Sequence, residues 1–337
     1  DLVRSRGLGD VYKRQLRGGF DSPNEAATLK GMQRVLSRLK DSDSACEEFV
    51  KLARSLVRAG QPDQLDGSDR FFSDPPLKVF QHLGKPVSFT ATALPGDRSD
   101  GAAGRGGSGL GLGDLFSGVG SAARNVLNLI TYYQMKERAG LIGASALNPI
   151  LRGIRRDHSA LRLHLVGHSF GDRLVSARAA GTSATTLLQA ESMSLLQAAF
   201  SHYGFARNWD QKNNDGVFRR VVEKKAIRGP LIITHTTSDQ AVGMAYPLAS
   251  LLAGQNASAL GDQTSDYGGI GRNGAQKTPE AQDGNLIPAG GTYRFVAGRL
   301  YNLNARHGAG DLIRNHGDVG NRDVAYAVLS AIAAVPA

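Results

Sequence analysis

The chain has 337 residues, of which 41% are hydrophobic and 21% charged, and its formal net charge is +10. This length suits one large domain or two ordinary ones, and the composition is typical of a globular protein. No run approaches 18 consecutive apolar residues, so the sequence predicts no membrane span. The basic residues are scattered rather than clustered, which argues against a nucleic-acid partner.

The first 15 residues, DLVRSRGLGDVYKRQ, lack an initiating methionine and resemble a translated sequencing adapter. We therefore expect residues 1–15 to be a non-native leader and residues 16–337 to form a single domain that is truncated at its N-terminus. Catalysis by such a truncated chain is expected to be impaired. No targeting signal can be read, and a cytoplasmic location is the default expectation. The single cysteine, Cys46, excludes an internal disulfide and lies in a helical core pattern.

The first half of the chain is predicted to be mainly helical. Ser22 and Pro23 give a cap and a first-turn proline, and Glu25 stands at the third helical position. The predicted elements, in order, are a helix over 22–40, a helix from about Ser44 to Arg58, a short strand at VSFTATAL, a glycine-rich loop at about 96–113 and a helical segment at about 111–155 that could cover a site.

In the second half, strands and helices alternate. The predicted strands are LRLHLVG, SMSLLQAAFSH, GPLIITHT, TYRFVAG and LYNLNAR, and the predicted helices are FGDRLVSARAAG, DQAVGMAYPLASLLAG and DVAYAVLSAIAA. A loop is expected over 255–290. This alternation predicts an α/β fold in which helices flank a mostly parallel sheet on both faces.

The stretch GHSFG stands where the apolar strand pattern gives way to the helical one. A sharp strand-to-helix turn at Ser169 strains the backbone and requires small residues two positions before and after it. Gly167 and Gly171 occupy those positions, and His168 lies beside the serine. The pattern therefore predicts that Ser169 is exposed at the carboxyl end of the strand as a nucleophile.

A serine hydroxyl needs a base to act as a nucleophile, and the base needs an acid to orient it. Asp239 follows the strand GPLIITHT, where such an acid is expected, and it could also cap the next helix. His316, in the turn before the last helix, is the preferred base. His307, at the end of LYNLNARH, is the alternative base or a structural histidine.

With these residues in the order serine, acid and histidine, residues of about 150–337 resemble the α/β-hydrolase superfamily. The segments TYYQMKERAG, LVGHSFG, HTTSDQAVGMAYPLAS and HGDV are similar to a poorly characterised bacterial branch described as serine-peptidase-like or hydrolase-like. The resemblance implies a serine hydrolase that acts by acyl transfer on a small-molecule or peptide substrate. It also implies an oxyanion hole that uses the backbone N–H of Phe170 and a second N–H from an early loop, which the sequence does not reveal.

No cofactor or metal is expected. GSGLGLG lacks the strand and helix of a dinucleotide site, GRNGAQKT lacks the glycine before the lysine of a phosphate loop, and the eight histidines show no metal-ligand spacing. The alternative to an enzyme is a binding or scaffolding protein that keeps the same fold without turnover. The sequence does not indicate an oligomeric state.

Overall fold

The computed structural model describes residues 19–20, 22–57, 63–85, 118–254, 263, 265–307 and 310–335. The predicted leader, the strand at VSFTATAL and the glycine-rich loop at about 96–113 lie outside these residues. The predicted α/β fold is confirmed, since a parallel sheet with flanking helices forms the second half of the chain.

In the described part of the chain, five parallel strands form the central sheet in the spatial order β1–β2–β3–β5–β4. The strands are β1 His164–His168, β2 Ser192–Leu196, β3 Leu231–His235, β4 Ala281–Asn285 and β5 Leu300–Asn304. Strands β2 and β3 are buried along their whole length, as expected for apolar strands that helices cover on both faces. Two further short strands, β6 Arg306–His307 and β7 Gly310–Asp311, form an antiparallel pair.

Helices surround this sheet and form a separate layer before it. The α-helices are α1 Glu25–Val35, α2 Asp43–Leu56, α3 Ser68–Ser73, α4 Pro76–Leu83, α5 Val119–Leu141, α6 Asn148–Asp157, α7 Phe170–Ala180, α8 Arg219–Glu223, α9 Gln240–Leu252, α10 Ile270–Asn273 and α11 Arg322–Ala333. A π-helical segment, Ile142–Leu147, joins α5 to α6.

The apolar core has three main parts. One face of the sheet packs through Met193, Phe200 and Ile233, and the other face packs against α11 through Ile232 and Leu303. The third part lies among the helices of the first half and includes Phe49, Phe71 and Leu129. Leu248 and Leu251 of α9 belong to this third part, so α9 connects the helical layer to the sheet. Cys46 is buried in the same layer, and its thiol donates to the Leu39 carbonyl at 3.2 Å.

Several predicted elements differ from the structure. The helix expected over 22–40 is α1 followed by a short 3₁₀ turn, and its N-cap is Asn24 without a side-chain cap bond. The helical segment expected at about 111–155 is described from Val119, and it extends to Asp157 through the π-helical segment.

Two predictions in the last third were wrong. TYRFVAG is not a strand, whereas the expected loop over 255–290 contains α10 and the strand β4. The sequence of β4, AQDGN, is polar because its residues are mostly exposed at the edge of the sheet. Its strand conformation comes from its hydrogen-bonded register with β5 rather than from its residue types. Among the described residues, no helix is long and apolar enough to cross a membrane.

Candidate active site

Ser169 lies at a strained turn between β1 and α7. Its backbone angles, φ 59° and ψ −123°, are unfavourable for a residue with a Cβ and cost about 1–3 kcal/mol. The turn is held by three backbone hydrogen bonds. The Ser169 N–H donates to Leu196 O at 3.2 Å, and Ser169 O accepts from the N–H groups of Asp172 and Ala199, both at 3.1 Å. These bonds fix the serine at the carboxyl end of the sheet.

The two glycines that flank Ser169 have different surroundings. A Cβ on Gly167 would lie 2.5 Å from Asp172 Oδ1 and 2.7 Å from both Asp172 N and Gly171 C. A Cβ on Gly171 would meet nothing within 4 Å among the described residues outside its own helix and chain neighbours. The crowding predicted at both glycines is therefore found only at Gly167, because the backbone of α7 passes directly over it.

This difference gives a paired prediction. Gly167→Ala should lower the free energy of unfolding by about 1–3 kcal/mol, since helix backbone must move to admit the methyl group. Gly171→Ala, inside α7, should be neutral or stabilising by about 0.5–1 kcal/mol, because alanine favours the helix. Urea unfolding of both variants measures the effect. Equal destabilisation by the two substitutions would contradict this account of the turn.

The structure brings Ser169, His316 and Asp239 together. His316 Nε2 lies 2.8 Å from Ser169 Oγ, and His316 Nδ1 lies 2.8 Å from Asp239 Oδ2. Since a carboxylate only accepts, Nδ1 carries the proton and Nε2 is left to accept from the serine hydroxyl. One imidazole thus connects a hydroxyl to a carboxylate, although the three residues come from three separate loops. That they act catalytically stays a prediction.

Asp239 is completely buried and surrounded by donors. Its Oδ1 accepts from the Val242 N–H at 3.0 Å, which caps α9, so the predicted capping bond is present beside the contact with His316. Its Oδ2 also accepts from Gln197 Nε2 at 3.1 Å. Gln197 is fixed in turn because Nε2 donates to Gly271 O at 3.0 Å and Oε1 accepts from Thr234 Oγ1 at 3.2 Å. The carboxylate can therefore take one orientation only.

The loop that carries His316 is fixed from two sides. His168 Nε2 donates to the His316 carbonyl at 2.8 Å, and the two imidazole rings are 4.8 Å apart. Within the loop, Arg314 forms an ion pair with Asp318 at 2.8 Å, and this hydrogen-bonded pairing holds the pKa of Asp318 below its usual value. His168 is thus more than a sequence neighbour of Ser169, because it holds the backbone of His316, the histidine that contacts Ser169.

His307, the alternative base, lies in β6 opposite Gly310 of β7. It is His316 whose ring donates to Asp239 through Nδ1 and accepts from Ser169 through Nε2. The loop that carries Asp239 is nevertheless linked to the β6–β7 pair, since the hydroxyl of Ser238 in that loop donates to the Asp311 carboxylate of β7.

A small cavity of about 100 Å³ opens on Ser169. It is lined by Tyr132, Ser169, Phe170, Ala199, Val242, Tyr246 and His316. Phe170 is the first residue of α7, so its N–H has no acceptor within the helix, and no other hydrogen bond to it occurs in the described part of the chain. The N-terminus of α7 also favours negative charge at this position. The Phe170 N–H is therefore placed to stabilise an anion beside Ser169.

A buried acid lies beneath the turn. Asp172 is 0% exposed, and burial raises the pKa of its carboxyl well above the usual value. Sequence reasoning missed this residue, together with Gln197, Tyr132 and Tyr246. The signal that could have found Asp172 is an acidic residue directly after GHSFG.

A larger cavity of about 530 Å³ lies elsewhere and is lined mainly by polar residues, among them Asp69, Arg70, Trp209 and Tyr267. It contains neither Ser169 nor His316, whereas the smaller cavity is lined by both. No group of three or more His, Cys, Asp or Glu side chains that could hold a metal ion occurs within the described residues.

We compared the chain with protein-family models, with curated proteins and with solved structures, and nothing matched in any of the three comparisons.

Proposed function

We propose that the protein is a serine hydrolase that works by acyl transfer. The observation that carries this proposal is the single imidazole of His316, which lies 2.8 Å from both Ser169 Oγ and Asp239 Oδ2. Such an arrangement activates a hydroxyl that is otherwise a weak nucleophile at neutral pH. The strained turn at Ser169 supports the same proposal, because strain of this kind is retained where it positions a reacting group.

The proposed reaction has two halves. Ser169 Oγ attacks the substrate carbonyl carbon while His316 Nε2 takes the hydroxyl proton, and the carbonyl oxygen becomes an oxyanion that accepts from the Phe170 N–H. His316 then gives the proton to the leaving group, which departs and leaves an acyl-enzyme. Water attacks the acyl carbon while His316 Nε2 takes a proton from it, and His316 returns that proton to Ser169 Oγ as the bond to the acyl carbon breaks and the acid product leaves. Asp239 stabilises the imidazolium in both halves.

We also propose that the chain is an α/β-hydrolase. Three features support this: the nucleophile turn follows a strand of a parallel sheet, its flanking glycine is crowded by the next helix, and the residues occur in the order Ser169, Asp239, His316.

Esters, amides, peptides and thioesters all fit the proposed acyl-transfer chemistry.

An active-site fluorophosphonate probe tests this proposal. We expect the purified chain to form a covalent adduct on Ser169, located by peptide mass spectrometry, and to hydrolyse p-nitrophenyl acetate. Ser169→Ala should abolish both, whereas Ser55→Ala, an exposed serine on α2, should change neither. If the folded chain forms no adduct and shows no turnover, the alternative of a binding or scaffolding protein is favoured.

A further inference from the structure

Two tyrosines lie beside the nucleophile. Tyr132 of α5 and Tyr246 of α9 both line the cavity that contains Ser169 and Phe170, and their hydroxyl oxygens are 2.8 Å apart. The Tyr132 ring also packs against the Phe170 ring, with 5.5 Å between centroids. The Tyr132 ring therefore lies against the side chain of Phe170, the residue whose N–H is the proposed first oxyanion donor.

The two hydroxyl groups together have one more proton than their mutual hydrogen bond uses. Each hydroxyl has one proton, and the bond between the two oxygens uses only one of them. Within the described residues, neither hydroxyl has another hydrogen-bond partner. One O–H group therefore remains available to a ligand in the cavity. Burial, reinforced by the negative charge of Asp66, raises the pKa of Tyr132, and burial does the same for Tyr246, so both stay protonated and remain donors.

The burial of the two side chains indicates which proton remains. Tyr246 is 1% exposed, whereas Tyr132 is only partly buried. The arrangement that fits is for Tyr246 to donate to Tyr132 and for Tyr132 to donate into the cavity. A hydroxyl that accepts one hydrogen bond is polarised and becomes a stronger donor itself.

We infer that Tyr132 is a catalytic residue that donates its O–H to the oxyanion formed at Ser169, beside the Phe170 N–H, and that Tyr246 positions it. This inference rests on the proposed function. The Tyr132 hydroxyl of α5 thus supplies the second oxyanion donor. Tyrosine hydroxyls are among the groups that serve in oxyanion holes, and removal of one donor typically costs about 10²–10³-fold in kcat.

The test compares tyrosine variants of the full chain with p-nitrophenyl acetate. Tyr132→Phe should lower kcat roughly 10²–10³-fold with little change in KM, because the lost bond forms only after attack. Tyr246→Phe should cost less than about tenfold, since Tyr132 keeps its proton. Tyr133→Phe is the matched control: it is the next residue on α5, its hydroxyl donates to Asp66 O at 3.1 Å, and it does not line the cavity. Its kcat should equal that of the parent.

Inhibition by a trifluoromethyl ketone distinguishes a hydrogen-bond donor role of Tyr132 from a packing role. The ketone forms a hemiketal with Ser169 whose oxygen occupies the oxyanion position, so Tyr132→Phe should weaken inhibition by the same factor as it lowers kcat. If Tyr132→Phe keeps parental kcat and inhibition, or raises KM alone, the inference is overturned while the hydrolase proposal stands. If the parent chain itself forms no fluorophosphonate adduct on Ser169, both fail.

Discussion

Replacing Ser169 or His316 with alanine should each reduce kcat by about 10⁵–10⁶-fold, and the double variant should be hardly worse than either single variant. The reason is the shared proton: His316 Nε2 can activate only the hydroxyl that lies 2.8 Å away, and that hydroxyl is unreactive without it. Steady-state hydrolysis of p-nitrophenyl acetate by the three purified variants measures the effect. If Ser169 and His316 contributed independently, their fold-losses in kcat would multiply, and the double variant would lose far more activity than either single variant.

His307→Ala is the matched control for His316→Ala. It removes the alternative base, which lies in β6, and should leave kcat unchanged. The unfolding temperatures of all four variants should remain close to that of the parent. At position 169 this is expected because alanine keeps the same backbone strain as Ser169. If His307→Ala abolished turnover and His316→Ala did not, the assignment of the base would be wrong.

The sheet and the nucleophile turn were predictable because their signals are local. An apolar run that ends at Gly167, followed by a helical pattern, identifies a strand, a turn and a helix within about 20 residues. Strand β4 was not predictable, because AQDGN has polar residues and becomes a strand only when it pairs with β5. TYRFVAG is the opposite case. Its aromatic and β-branched residues indicate a strand, but the segment does not pair as a strand in the structure.

The candidate site was predictable only in part, for a related reason. The order of Ser169, Asp239 and His316 could be read against the expected strand ends. The supporting contacts join residues that are far apart in the chain: Gln197 reaches Asp239 across 42 positions, and Tyr132 reaches Tyr246 across 114. No periodicity marks such pairs, since the first depends on how the chain after β2 meets the start of α9 and the second on how α5 packs against α9. Local patterns therefore predict which residues react, whereas tertiary packing decides which residues hold them.

Asp239→Asn should reduce kcat by about 10⁴-fold at neutral pH. The carboxylate accepts on both oxygens, from the Val242 N–H on Oδ1 and from His316 Nδ1 and Gln197 Nε2 on Oδ2. An asparagine keeps its single oxygen on Val242 and turns its NH₂ toward His316. His316 Nδ1 must then accept, the proton moves to Nε2, and the imidazole can no longer take the serine proton.

Gln197 cannot relieve this change by turning over its amide, because its two ends are already fixed by Gly271 O and Thr234 Oγ1. The measurement is kcat for p-nitrophenyl acetate, together with the imidazole ¹⁵N chemical shifts of His316, which should report the proton on Nε2 in the variant and on Nδ1 in the parent. Asp311→Asn is the control and should cost less than about tenfold. Asp311 accepts from the hydroxyl of Ser238, next to Asp239, and no hydrogen bond among the described residues joins it to His316. A loss of activity without the tautomer change would mean that Asp239 acts only by holding α9, whose first turn it caps, rather than by orienting the base.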